Sequence, residues 1–592
     1  MPKDAVRTGV DRRQVLGGIA ATVALPSTGT AGQSDTPAPL RPGDAAWPSS
    51  DAWSGLRDVV GGRLAPVTVP KLEPGDAAKL LRNPYFIRDQ AGLTQSSGRI
   101  DGWRSAPSTY VVRAANSNDV SAAVSFAARH KVRLVVKGGG HSYLGGSNAP
   151  DSLLVWTRDL ESIELHQAFV PQGTGAAPVP AVSVGAGCVW HDVYDAVTTQ
   201  AGRYVQGGGC TTVGVAGLVQ GGGFGSLSKA YGLAAASLLE AEIVTADGRI
   251  RTVNAAQDSD LFWALKGGGG GTWGVVTRMT LRTHELPSTV GQVRWQITAV
   301  SDAAFRRLLD RFVALYTESL MNPHWGEQAS AHPGNRFEVA MLFQGLTEAE
   351  AGDAWRPLID FVAAHPADYR SEAPPAVIAL PARRLWDGAF LRANLPDVIR
   401  WDDRSGGSPT RWWWASNTDE IGAFWHGYES VWLPASLLAP AQRPTLVEAW
   451  FDASRFWSTT LHFNKGLAGA SPEAVTASRN TAMNPEVLEA FALAIIAMDG
   501  PSAYAGLPPP DLLEAREHMS RIGRAMTALR RAAPRAGSYL SECDYALEDW
   551  QTACWGNHYR RLEAIKAQYD PNGIFTVHHG VGSEKFAAGG ST

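Results

Sequence analysis

The chain has 592 residues, enough for several ordinary domains or a few large ones, and its 44% hydrophobic and 19% charged residues exclude a disordered, collagen-like or coiled-coil protein. With 53 basic and 57 acidic side chains the net charge is −4 and the pI near 6.4, so neither nucleic acid nor an anionic membrane is an expected partner. No run approaches the roughly 18–20 consecutive apolar residues of a membrane span.

In chain order the first signal is an address. Adjacent Arg12 and Arg13 in DRRQVL precede an apolar, Gly- and Ala-rich centre from Val15 to Leu25 and small residues up to Gln33. That order is the anatomy of a bacterial twin-arginine signal peptide, so residues 1–33 are expected to export a folded protein to the periplasm or beyond the cell. Residues 34–77, rich in Pro, Gly and Ala, read as linker.

An alternation of strand and helix follows: strand Tyr110–Arg113, a helix capped near Ser117 with Val120, Ala123, Val124 and Ala127 on one face, then strand Val132–Val136. Further strand-like runs stand at Leu153–Trp156, Ala181–Val184 and Leu239–Val244. The glycine clusters among them stop near Leu286, where longer, tryptophan-rich segments begin. Residues 78–286 therefore read as one domain and 287–536 as a second, with 537–592 as a closing segment. Within the second, the spacing of positions 512, 515, 519, 522, 526 and 529 predicts a helix with one buried face over Leu512–Leu529. Eight tryptophans crowd one stretch: 401, 412, 413, 414, 425, 432, 450 and 457. Indole faces stack on sugars and aromatic substrates, and they also fill cores.

Three glycine clusters carry the chemistry. Lys137–Asn148 reads KGGGHSYLGGSN directly after an apolar strand, Gly207–Gly225 reads GGGCTTVGVAGLVQGGGFG, and Gly267–Gly274 reads GGGGGTWG. Such loops let several backbone N–H groups approach a ligand unobstructed. A P-loop or Rossmann fingerprint is absent from them. Cys188, Cys210, Cys543 and Cys554 form no CxxC and no zinc spacing, so a metal is not expected, and disulfides among Cys188, Cys543 and Cys554 stay open.

These clusters, with DLFWALKGGGGGTWGVVT and the late YDPNGIF, resemble the berberine-bridge-enzyme-like group of the vanillyl-alcohol-oxidase flavoproteins. The resemblance covers roughly Thr94–Thr283 and Ser538–Glu584. It implies an α+β fold in which a two-subdomain FAD-binding unit, closed by the C-terminal segment, carries an inserted substrate domain of antiparallel sheet and helices. It also implies FAD bonded to both His141 and Cys210. The family motifs implicate Gly138, Gly139, Gly140, Ser142, Gly145 and Gly146 of the first loop as cofactor contacts. From the second come Gly208, Thr211, Gly214, Gly217, Gly221, Gly222, Gly223 and Gly225. Gly274, Val275 and Val276 of the third and the C-terminal His558 and Tyr559 complete the set, His558 standing where relatives carry Asn. Gly208, two positions before the cysteine, is small where bulky residues are thought to exclude oxygen, which favours an oxidase.

A hydroxyl-oxidising flavoenzyme needs a base for the substrate proton. Tyr143 is expected to support by hydrogen bonding. Phe224 stands where many relatives use a tyrosine and cannot take a proton. In Ser538–Asp544, SYLSECD, Glu542 occupies the place of a catalytic tyrosine, and an apolar flavin face would raise its pKa by desolvation. Glu542 is the first candidate base, then Asp544 and Tyr545. His578 and His579, adjacent in sequence, are expected to be structural. The reading is an exported oxidase that moves hydride from an alcohol or sugar carbon to FAD, with O2 reduced to H2O2. Its alternatives are a tailoring oxidase of aromatic or amine metabolites and a carbohydrate-binding protein with a vestigial flavin.

Overall fold

The computed structural model describes residues 39–586; the expected signal peptide lies outside them. Within the stretch read as linker, Leu40 forms a parallel bridge with Val132 and helical structure begins at Ser50. Helix Ser50–Val59 is capped by Ser49, whose hydroxyl accepts from the Ala52 N–H, and it buries Trp53 and Leu56 against strand Leu64–Pro66 and its neighbours. Its Pro and Gly content describes only the turns between these short elements.

Strand Tyr110–Arg113 and strand Arg133–Lys137 both run parallel to Ser152–Trp156, joined by helix Ser117–His130. Parallel neighbours require such a crossover. Asn116, not Ser117, caps the helix by accepting from the Asp119 N–H at 3.1 Å. Val120, Ala123, Val124 and Ala127 are buried on its inner face. Leu64–Pro66 completes this four-stranded sheet. A second, antiparallel sheet follows with strand order Ile250–Asn254, Leu238–Val244, Val275–Glu285, Val179–Gly185, Ile163–Phe169. The C-terminal helices Trp550–Trp555 and Tyr559–Tyr569 return to its core, where Trp555, Leu562 and Ile565 pack with Val182, Leu261 and Trp273.

The middle of the chain forms a nine-stranded sheet. Strand Ser96–Arg99, from the N-terminal side, crosses over to pair in parallel with Ala423–Pro434. Helices Asp302–Leu315, Glu348–Ala364, Arg443–Ser454 and Leu512–Arg530 bury one face of the sheet: Phe312, Trp355, Trp450 and Ile522 meet Val293, Trp295, Val339 and Met341. Successive strand residues alternate faces, so the residues between these point to the opposite side. In helix Leu512–Arg530 the expected stripe is buried at Ala515, Ile522, Met526 and Leu529, whereas Leu512 is exposed. Five of the eight crowded tryptophans, Trp412, Trp413, Trp425, Trp432 and Trp450, are core residues. No helix among the described residues is long and apolar enough to cross a membrane.

Candidate active site

The three glycine loops and the uncovered face of the large sheet enclose one cavity of about 1070 Å³. That exceeds the roughly 300–1,000 Å³ typical of a single small-ligand pocket, which leaves room for a large cofactor and a substrate together. The first loop starts at Lys137, whose buried ammonium donates to the carbonyls of Gln90 and Leu93 at 3.0 Å. Burial pulls its pKa down to about 7. Backbone meets backbone where the first and second loops touch. A Cβ on Gly139 would stand 2.5 Å from the Gly214 nitrogen, and one on Gly214 2.7 Å from the Gly139 nitrogen, so neither position admits a side chain.

His141 and Cys210 both line the cavity. The His141 Nε2 lies 3.0 Å from the Thr212 hydroxyl, and burial pulls the imidazole down to about 4. Burial first, then the nearby Glu420 carboxylate, push the Cys210 thiol up to about 12, while Lys465 opposes them. Gly138, Gly139, Gly140, Ser142, Gly146, Gly208, Gly214, Gly217, Gly225, Gly274 and Val276 also line the space. The remaining expected contacts do not. Gly145 is stacked on Trp103, whose ring a Cβ would meet at 2.7 Å. Gly221, Gly222 and Gly223 form the turn after helix Val215–Gln220, packed behind the wall against Ser541, Met483 and Leu218. Val275 points into the opposite core by strand alternation. Thr211 is buried, its carbonyl accepting from the His191 N–H, and its neighbour Thr212 is the residue that reaches His141. His558 is held by the Met483 carbonyl at 2.9 Å, and the Tyr559 hydroxyl donates to Glu584 at 2.9 Å, so both brace the C-terminal helix.

Of the proposed catalytic side chains, Tyr143 and Glu542 reach the cavity. The Tyr143 ring packs on Trp425 and Tyr428 at 4.7 and 4.9 Å between centroids, and burial holds its phenol well above the ordinary value. Both Glu542 oxygens accept from the Lys465 ammonium, at 2.6 and 2.7 Å, a partner that the sequence did not announce. Asp544 and Tyr545 fall outside the cavity wall, because the chain leaves the short Leu540–Glu542 turn extended at Cys543. Asp544 pairs with Arg99 at 2.6 Å, and Tyr545 stacks on His578 at 3.7 Å. His578 and His579, expected to be structural, stack on each other at 4.0 Å and also line the cavity. All four cysteines are free thiols.

Several site residues carried no sequence signal. Glu327, Glu420, Tyr428, His462, Asn464 and Lys465 come from separate strands and loops of the middle region. Glu420 lies deep in the molecule with its side chain exposed to the cavity; burial, then Asp499, lift it to about 7. Glu327 is lifted by burial and accepts from the Ser226 hydroxyl. Pairing with Met341 would by alternation send Glu327 to the helix-covered face, yet its φ of 65° breaks the strand locally and it lines the cavity.

The donor set suits FAD. Gly209 and Gly217 line the cavity where a Cβ would meet nothing within 4 Å, so their bare backbones leave space for a ring system. The buried Gln220 Oε1, His462 Nδ1 and Asn464 Oδ1 border the same space without a partner. Buried polar atoms are rarely left so unless a ligand or water satisfies them.

Comparison with known proteins agrees. A family described as FAD binding domain matches residues 108–254, and one described as Berberine and berberine like matches 538–582. The FAD-linked oxidoreductase ffsJ of Aspergillus flavipes is 30% identical over 80% of this chain and 76% of its own length. The VAO-type flavoprotein oxidase VAO615 of Thermothelomyces thermophilus is 28% identical over 92% of both chains. The crystal structure of MtVAO615 from Myceliophthora thermophila superposes with a TM-score of 0.74 over 92% of this chain and 97% of that one, at 25% identity. Glucooligosaccharide oxidase from Acremonium strictum, described as carrying 6-S-cysteinyl, 8α-N1-histidyl FAD, shares the fold with a TM-score of 0.64 at 18% identity, over 89% of this chain and 99% of its own. All are fungal, whereas the twin-arginine reading expects a bacterial source. Matched in its FAD-binding and C-terminal segments and along most of its length, this chain belongs to the FAD-linked oxidoreductases of the berberine-bridge-like, VAO-type flavoprotein family.

Proposed function

We propose that the protein is an oxidase of a hydroxyl-bearing carbon, with FAD joined covalently to His141 and Cys210 and oxygen as the final acceptor. The observation that carries this reading is the convergence of His141, Cys210 and the Glu542–Lys465 pair on one cavity. FAD held there would supply a two-electron hydride acceptor that oxygen can regenerate. At neutral pH His141 presents an uncharged imidazole, the form able to act as a nucleophile. Glu542, held in one orientation by Lys465, accepts the hydroxyl proton at its carboxylate, and the Tyr143 hydroxyl hydrogen-bonds the same substrate oxygen. Trp425 and Tyr428 pin the Tyr143 ring, which reduces the entropy lost when the substrate docks. The small Gly208 beside the cysteine supports access for oxygen.

The test is acid precipitation of purified protein, followed by the spectrum of the pellet and the intact mass. A yellow pellet with the mass of one added FAD, weakened in His141→Ala and in Cys210→Ala and colourless in the double variant, is the expected result. A colourless wild-type pellet overturns covalent attachment. Export belongs to the same proposal: a mature chain outside the cytoplasm, lost when Arg12 and Arg13 become Lys, is expected, and unchanged localisation removes it.

A further inference from the structure

The wall of the cavity is polarised, and the register of the large sheet shows how. On its uncovered face, Ile378 pairs with Gln292 and Gln292 with Leu342, while the neighbouring row joins Leu380 to Val290. With Gln292 at the centre of the first row and Gln344 at the end of the second, this end of the sheet is a mainly aliphatic strip three strands wide, four side chains of the six. Ile378 is 48% exposed, a large aliphatic side chain only half covered by protein. Leu385 and Leu395, from the segments that follow, line the cavity as well, as does Trp414, whose indole N–H donates to the Gly209 carbonyl at 3.0 Å. The strip's two charged neighbours, Arg294 and Asp397, are solvent-exposed.

Across the same face the chemistry inverts. Glu327 follows Gly326, the partner of Leu342, and His462 lies opposite Gln328 on the next strand. Lys465, Glu542, Glu420 and Tyr428 complete this end. It is the cofactor end, since Glu420, Lys465, Glu327 and Glu542 all act electrostatically on Cys210. Hydroxyl-rich oligosaccharides need polar partners along their whole length, and an unpaired hydroxyl buried on the aliphatic strip is unfavourable. Trp386 and Trp414 line the cavity and meet edge to face at 5.5 Å, an aromatic corner that suits a compact ring better than a row of sugars.

Resting on the reading of this cavity as the site of hydroxyl oxidation, we infer that the substrate is amphipathic: one hydroxyl at the end of a bulky aromatic or alicyclic body, and not a free oligosaccharide. The hydroxyl sits among Glu542, Lys465 and Tyr143, and the apolar body lies along Ile378, Leu380, Val290 and Leu342.

The experiment uses the full holoenzyme and a series of benzyl alcohols bearing para hydrogen, ethyl, butyl and hexyl groups, beside glucose, cellobiose and chitobiose. Oxygen uptake gives KM, and perturbation of the visible spectrum under anaerobic conditions gives Kd. Each buried CH2 tightens binding by about fourfold until the strip is full, from the transfer energy of a methylene. Ile378→Asp is expected to flatten that series, weakening the longest alcohols most, while the yellow pellet persists and shows an intact cofactor site. Length-independent Kd values, saccharides preferred over the longest alcohol, or an Ile378→Asp variant weakening all ligands equally would each overturn the inference. The two readings fail separately: length-dependent binding without bleaching of the flavin refutes hydroxyl oxidation and keeps the apolar body, whereas bleaching by saccharides alone does the reverse.

Discussion

The glycine-loop half of the cavity and the sheet half were built by different means. In the first, Gly138–Gly146, Gly207–Gly225 with its helix Val215–Gln220, and Gly267–Gly274 are contiguous segments, and each brings its own backbone to the cavity. In the second, Ile378, Val290 and Leu342 become neighbours only through strand pairing, and Glu327, Glu420 and Lys465 meet from three different segments. Cofactor recognition through backbone needs consecutive small residues, which leave a mark in sequence. Substrate recognition through side chains needs only spatial convergence, which leaves none.

The sharpest way to break this comparison is to remove the proton acceptor while keeping the cofactor. Glu542→Gln should lower kcat by about 10²–10⁴, the range for general base catalysis, with the flavin absorbance of the pellet unchanged. Wild-type turnover in a stopped-flow assay would transfer the role to Glu420, the other carboxylate of that end. Next in size is a pair of glycine substitutions. Gly139→Ala drives a methyl into the Gly214 backbone and should cost about 1–3 kcal/mol, read as a fall in Tm, whereas Gly209→Ala meets no protein atom and should leave the Tm of cofactor-free protein unchanged. Equal shifts would mean that the loops are merely tight and not shaped around a ligand.

A smaller effect concerns protons. Glu420 titrates near 7 in the folded chain and near the ordinary 4.5 when unfolded, so between those values the folded state binds more protons and stability declines as pH rises. His141 acts in the opposite sense: its folded value near 4 lies below the ordinary 6.5, and stability is lost as pH falls through that window. Denaturant titrations of cofactor-free protein from pH 4 to 8 should therefore lose the decline toward pH 7 in Glu420→Gln and the decline toward pH 4 in His141→Asn. The smallest change is expected at Asp544→Asn and Tyr545→Phe. Both residues are engaged outside the cavity, by Arg99 and His578, so steady-state kcat should stay near wild type and any loss should appear in thermal stability.

Much of the fold near the cofactor was legible. Strand Tyr110–Arg113, the helix after it and strand Arg133–Lys137 follow from hydrophobic period and a capping side chain, both local properties. Residues 50–66 misled because Pro and Gly counts reveal turns and are silent on the burial of Trp53 and Leu56. The tryptophan cluster suggested ligand stacking because composition cannot separate an indole packed on Phe312, as Trp450 is, from one facing a cavity, as Trp414 does.

By itself the sequence marked a ligand-binding surface, through glycines whose missing side chains permit close backbone contact, and its resemblance to a flavoprotein family pointed to FAD and to His141 and Cys210, set singly among those glycines. Tertiary structure alone decided which carboxylate is paired, how Tyr143 is packed and how polarity runs along the wall. Those properties depend on distances between residues tens to hundreds of positions apart, such as Lys465 and Glu542 or Leu342 and Ile378, and such distances are set only when sheets and loops close on one another.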